Sequence, residues 1–263
     1  MTFNKPASIL LAVNMLFVLG ACGGGGGGGS GSQPQVTAST VKLFTDGAGV
    51  GLATNASDNQ KLLFLAPDIV DVVSVVNSAT DVDDSADFSN LTLSGTTATA
   101  KIYTGTSVSG GLTVNITGYR DNSGEAALLF LDIPTRANAV FATGNPLNGV
   151  PSGTYTYNGL HGFGRRAVGV NPEIGSFSMS ANFSAGTFSY SGTTTSSTLT
   201  GSGAIDSSAG RFTSTTMSLN APLGSYSASL HGLLHGTNAA AVSGVYHSND
   251  TSPDYAGAFV GAR

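Results

Sequence analysis

From residue 151 to its end the chain repeats one design eight times: a short run in which apolar and hydroxylated residues alternate, mostly set off by Gly, Asn, Ser or Pro. The runs cover 153–161, 174–183, 186–191, 198–205, 211–219, 223–234, 240–248 and 254–263. A period of two belongs to half-buried strands, because successive side chains leave a strand on opposite faces. Evenly spaced short strands build a sandwich or an up-and-down barrel. Eight is the number at which a closed barrel is just filled by its own side chains.

Parity says what kind of barrel this is. Tyr155 and Tyr157 share a face, as do Phe177, Met179, Ala181 and Phe183. The same holds for Phe188 and Tyr190, for Tyr226, Ala228 and Leu230, and for Tyr255, Gly257 and Phe259. The opposite faces carry Ser176, Ser178, Ser180, Asn182, Ser225, Ser227 and Ser229. A membrane-spanning barrel also alternates, with its apolar face turned to lipid. Here that face is diluted by Gly201, Gly203, Gly232 and Gly257, which suits a tapering interior better than a lipid surface. The expectation is a soluble barrel with an apolar core.

Residues 41–150 read as a first, separate domain. Strand-like runs fall at 41–45, 61–66, 69–76, 98–103, 113–119, 126–133 and 139–143. The run at 126–133 is continuously apolar and is expected at the centre of a sheet, buried on both faces. Asp121-Asn122-Ser123-Gly124 reads as a turn and 81–87 as an acidic loop. A small, mostly antiparallel sheet is expected. The turn-rich stretch 145–153 reads as the boundary with the barrel.

Charge is sparse and uneven. Only 10% of residues are charged. Residues 41–150 carry 11 acids against 5 bases, and 151–263 carry 4 of each. Neither half has the basic footprint of a nucleic-acid binder. The acidic first domain argues against lying flat on anionic lipid.

The amino terminus supplies a location. Lys5, then an apolar run from Ile9 to Leu19, then Leu19-Gly20-Ala21-Cys22 make a basic start, a short apolar core and small residues at a cut. The run is too short to span a membrane, which takes about 20 apolar residues. It resembles a bacterial lipoprotein signal, with a signal peptide at 1–21 and Cys22 as the lipidated residue. That resemblance implies a diacylglycerol on Cys22 and a third acyl chain such as palmitate, enough for durable anchoring. Gly23, in place of a retaining aspartate, directs the expectation to the outer membrane. Residues 22–40 read as the lipidated cysteine and a Gly/Ser tether with a reach of roughly 25 Å. Cys22 is the sole cysteine, so its lipidation leaves the fold without a disulfide.

Three short stretches resemble one family. Gly236-Thr237-Asn238-Ala239, with Gly244 and Tyr246 beyond, resembles the "G-x-N-A-x-x-x-x-G-x-F/Y" hairpin of the transferrin-binding protein B β-barrel family. The terminal Ala256-Gly257-Ala258-Phe259-Val260-Gly261-Ala262-Arg263 is similar to that family's closing strand. Asn182-Phe183-Ser184-Ala185-Gly186-Thr187 is similar to its "D-F-x-A-G-T" hairpin. The resemblance implies an all-β surface lipoprotein: a small antiparallel β-sheet handle domain followed by an eight-stranded antiparallel β-barrel. It implies an extracellular protein or small ligand, in the family often tied to iron or haem, and export by an outer-membrane lipoprotein assembly modulator. True transferrin-binding proteins have two lobes and long charged loops; this chain has one lobe's length and lacks those loops.

Candidate site residues are few. Arg165 and Arg166, after Gly162-Phe163-Gly164, are expected on the loop following the first barrel strand, where recognition usually lives. A solubilising role for the two arginines is the alternative. His231 and His235 are four apart on one strand, on the serine face, about 13 Å apart. They cannot chelate one metal alone, and His161 or His247 would have to be brought in by the fold. The four histidines are expected to be exposed and without a ligand. The acids at 81–87 lack the EF-hand spacing and read as a solvated loop. No nucleophile elbow, metalloprotease helix, P-loop or dinucleotide fingerprint occurs. A non-enzymatic binding lipoprotein without a cofactor is the first expectation. A structural or adhesive envelope protein is the alternative.

Overall fold

A computed structural model describes residues 49–55, 61–66, 91–109, 112–134, 137–165, 172–249 and 255–263. The signal peptide, Cys22, the tether, the runs at 41–45 and 69–76, the acidic loop 81–87 and Arg166 lie outside the described residues. Every regular element among the described residues is a strand.

Seven strands form the first sheet: β1 (Gly49–Asn55), β2 (Lys61–Ala66), β3 (Thr92–Thr96), β4 (Ala100–Ser109), β5 (Leu112–Asp121), β6 (Ala126–Ile133) and β7 (Ala137–Gly144). They pair antiparallel in the order β2-β1-β7-β6-β5-β4-β3, so the apolar β6 is the middle strand. Asp121 shapes the β5–β6 turn. Its carboxylate accepts from Ser123 N at 2.8 Å and from Ala126 N at 2.6 Å. An Asp side chain that closes on its own backbone in this way is what favours the residue in turns.

Eight strands close the barrel: β8 (Thr154–Arg165), β9 (Glu173–Asn182), β10 (Thr187–Thr193), β11 (Thr198–Asp206), β12 (Arg211–Ala221), β13 (Gly224–His235), β14 (Ala241–Ser248) and β15 (Tyr255–Ala262). Each pairs antiparallel with the next, and β15 returns to β8. Burial alternates along the open strands, as in β10 and β12. The aromatic face points inward: Tyr157, Phe177, Met179, Phe188, Tyr190, Phe212, Tyr246 and Phe259 are all buried in one cluster.

Glycine makes room for those rings. Phe188 is paired across strands with Gly203, Phe212 with Gly232, Phe259 with Gly244 and Tyr246 with Gly257. A Cβ built at any of these glycines would lie 2.2–2.5 Å from its partner's ring. Each ring therefore lies over its neighbour's backbone. This is the packing advantage of an aromatic next to a cross-strand glycine.

The sheet packs on one side of the barrel, and the described residues of the two form one compact unit. Tyr119, Leu128, Val140 and Ala142 of the sheet meet Leu160, Val245, Ala258 and Val260 on the outer face of β8, β14 and β15. Both faces of β14 and β15 are consequently buried, which explains their continuous burial. The open wall, β9 to β12 and the start of β13, is hydroxylated. One register row runs Ser178, Ser191, Thr200, Ser218, Ser227.

Candidate functional site

The two ends of the barrel differ. At the end where β8 begins, the link from β7 lies across the opening. Asn148 N donates to Gly236 O at 3.0 Å, and Asn238 N donates to Asn148 O at 2.7 Å. Leu147 packs on the barrel core. The β13–β14 hairpin folds inward beneath this strap. Asn238 and Ala239 both take left-handed backbone angles, φ 52° and 56°. Ala239 is fully buried, and its carbonyl accepts from Tyr157 Oη at 2.7 Å. A non-glycine residue in this region is strained and persists where its surroundings hold it. Here Tyr157 and the strap do so.

The interior is equally committed. His161 is fully buried between Tyr190 and Tyr246. Its Nδ1 lies 2.8 Å from Tyr190 Oη and its Nε2 lies 3.0 Å from Tyr246 Oη. Tyr246 also donates to Gly162 O at 2.8 Å, which uses its only proton. Nε2 must then donate to Tyr246, and Nδ1 must accept from Tyr190. Every polar atom of the three side chains is used in one direction. Burial pushes the imidazole down to about 3 and holds it neutral. The same desolvation raises both tyrosines well above 10.

The histidine expectation therefore needs correction. His161 is a core residue, and His235 is buried at the junction of sheet and barrel. His235 Nδ1 donates to Asn145 O at 3.2 Å, and Nε2 lies 2.7 Å from Ser243 Oγ. Burial lowers His235 to about 4. His231 and His247 are half-buried rather than exposed. The serine face of β13 does point out of the barrel, but its last residues run beneath the sheet.

The other end is the rim. It gathers the ends of β8, β10, β12 and β14, the starts of β9, β11, β13 and β15 and, among the described residues, the β10–β11 and β12–β13 connections. Phe163, Tyr226 and Tyr255 fill the barrel just below. Tyr255 stacks on Phe163 with centroids 5.2 Å apart and lies 5.4 Å from Tyr226. Glu173 ties two connections together. Its Oε2 accepts from Thr194 Oγ1 at 2.9 Å and from Ser196 N at 3.1 Å. Hydrogen bonds from Ser196 and Thr194 hold its carboxyl below the usual range. Leu223 stands out at the β12–β13 turn, 63% exposed.

Arg165 is at this rim, as the last residue of β8, its backbone opposite Tyr255. It extends the strand, where a loop position was expected. The chain holds eight charged residues from 151 onward. Among the described residues, Arg165 and Glu173 belong to the rim strands, and Asp206, Arg211 and Arg263 to the opposite end. The walls between carry none. No three histidine, cysteine or acidic side chains group together as metal ligands among the described residues.

No protein-family model matches the chain, and no curated protein matches it. Solved structures do. Intact Ap-TbpB, with its N and C lobes, superposes with a TM-score of 0.51 at 12% identity, covering 82% of this chain. The chain spans 46% of that protein, about half its length. The isotype 1 transferrin binding protein B of Neisseria meningitidis matches at TM-score 0.48 and 14% identity, over 82% of this chain and 43% of its own. The haemoglobin receptor HpuA of Kingella denitrificans matches at TM-score 0.47 and 14% identity, over 83% of this chain and 87% of its own. The chain has the fold of transferrin-binding protein B in a single-lobed form, one sheet domain and one closed eight-stranded barrel.

Proposed function

We propose that this chain is an outer-membrane lipoprotein, held by a lipid on Cys22 and displayed outside the cell, that captures an extracellular protein through the barrel rim opposite the strap. The carrying observation is the distribution of charge and access. The interior is filled by side chains, one end is closed by the strap, and the described walls are uncharged. Among the described residues, Arg165 and Glu173 stand at strand ends on the rim, where Leu223 is exposed. A few charged and apolar side chains on loops over a rigid scaffold are the usual material of a recognition surface. Arg165 and Arg166 are the basic contacts, suited to carboxylates on a partner. The fold shared with a transferrin-binding protein supports an extracellular protein as the partner, and export then passes through an outer-membrane assembly modulator.

A second reading has its own observation. The wall of serine and threonine rows offers hydrogen bonds but no charge, as a structural or adhesive envelope protein could use. Retention of transferrin, haemoglobin, haem and a panel of extracellular proteins on the immobilised full chain separates the two. Saturable retention that falls with Arg165→Ala/Arg166→Ala supports capture at the rim. Retention of nothing across the panel favours the structural reading.

A further inference from the structure

The dipeptide Asn-Gly occurs twice in the chain, at Asn148-Gly149 and Asn158-Gly159, and the fold treats the two differently. In this pair an asparagine side chain is most readily attacked by its own backbone, because glycine puts no side chain in the way. The nitrogen of the next residue closes on the asparagine Cγ. That closure requires the asparagine to rotate out of an extended conformation.

Asn158 and Gly159 lie inside β8. They pair with Ser178 and Phe177 on one side and with Ala262 and Gly261 on the other. Two ladders oppose the rotation, and Gly159 is buried. Asn148 and Gly149 are exposed in the strap. Asn148 belongs to an isolated bridge with Thr237, made by the two hydrogen bonds that join it to Gly236 and Asn238. Gly149 has already left the extended form, at φ 86°. A larger residue is disfavoured there, since a Cβ would lie 2.6 Å from Asn238 Oδ1. A surface segment held by so few hydrogen bonds opens locally at low cost.

We propose that Asn148 is a site of spontaneous deamidation that unlocks the strapped end of the barrel. Gly149 N gives up its proton to solvent and bonds to Asn148 Cγ. The Cγ–Nδ2 bond breaks, and its nitrogen leaves as ammonia. Water then opens the five-membered imide to aspartate or isoaspartate, so the net reaction consumes one water and releases one ammonia. Isoaspartate carries one more carbon in the main chain, and the carbonyl at 148 no longer meets Asn238 N. The strap then stops holding the left-handed hairpin at Asn238 and Ala239. A transient opening becomes a permanent one. The site lies at the end opposite the rim and does not depend on what the rim captures.

Incubation of the full chain in oxygen-18 water, followed by peptide mapping with electron-transfer fragmentation, tests this. Labelled acid, mostly isoaspartate, is expected at 148 at least ten-fold faster than at 158, and faster at pH 9 than at pH 7. Hydrogen exchange on the aged protein should show protection lost at Asn238 N and kept along β8. Asn148→Ala should age without further loss at Asn238. No label at 148, or equal rates at 148 and 158, overturns the site. Label at 148 with Asn238 still protected overturns the unlocking, and neither result needs a variant to fold.

Discussion

The imidazole of His161 lies flat on the ring of Tyr246, with centroids 5.0 Å apart and planes 3° from parallel. The same pair is joined by a hydrogen bond from Nε2 to Oη at 3.0 Å, and Tyr246 anchors to the backbone of Gly162. One contact thus ties β8 to β14 across the barrel interior, with β15 between them.

Removing the hydroxyl should be costly without emptying the core. Tyr246→Phe leaves Nε2–H of His161 without an acceptor. It should destabilise the barrel by about 1–3 kcal/mol in urea denaturation. Tyr190→Phe leaves Nδ1 without a donor and should fall in the same range. His161→Ala opens a cavity and leaves the Tyr190 hydroxyl without its acceptor, so it should cost more than either.

Acid should weaken the fold before its carboxylates titrate. His161 and His235 are lowered to about 3 and about 4, from an unfolded value of 6.5. Below 6.5 the unfolded chain therefore binds protons that the folded chain refuses. Stability from these two groups is complete above about pH 6.5 and is lost as pH falls toward 4. Each contributes a slope of about 1.4 kcal/mol per pH unit in that window. Denaturant midpoints at pH 7, 6 and 5 check it, and a flat profile contradicts neutral buried histidines. His235→Gln should roughly halve the slope.

The ring-over-glycine packing separates two substitutions of the same chemistry. At Gly257 a Cβ would lie 2.3 Å from the Tyr246 ring and 2.0 Å from Gly162 O. Gly257→Ala should cost about 3 kcal/mol, at the high end for overpacking, because a backbone atom cannot step aside. At Gly164 the nearest heavy atom would be 3.7 Å away. Gly164→Ala should change the melting temperature little. Equal effects at the two sites would contradict the packing.

Arginine substitution at the rim should affect capture and leave the fold alone. Arg165→Ala/Arg166→Ala is expected to lower retention of a captured protein at least ten-fold. Stability should shift by no more than about 0.5 kcal/mol, as for other surface changes. Matched binding and denaturation curves on the same preparations check both halves.

The barrel was legible because its signal is local. A period of two with aromatics on one parity marks each strand and its inward face without reference to any other strand. His161 also follows that parity, two residues beyond the Tyr155, Tyr157 and Gly159 series, so its interior position was available from the pattern. His235 was not. It lies on the outward parity, and only the packing of a separate sheet buries it. Strand β1, with two glycines in seven residues, and the edge strand β3, mostly exposed, carry too little alternation to stand out. The rim was legible only as Arg165 and Arg166, because Glu173, Thr194 and Ser196 become neighbours through the antiparallel pairing of β9 with β10.

A protease recognition site inserted in the 166–171 connection tests the central claim most directly. Surface connections tolerate such insertions. The account predicts cleavage when protease is added to intact cells, with a periplasmic marker left whole. Protection of the site in intact cells, with cleavage only after the outer membrane is opened, would contradict a rim that meets extracellular proteins.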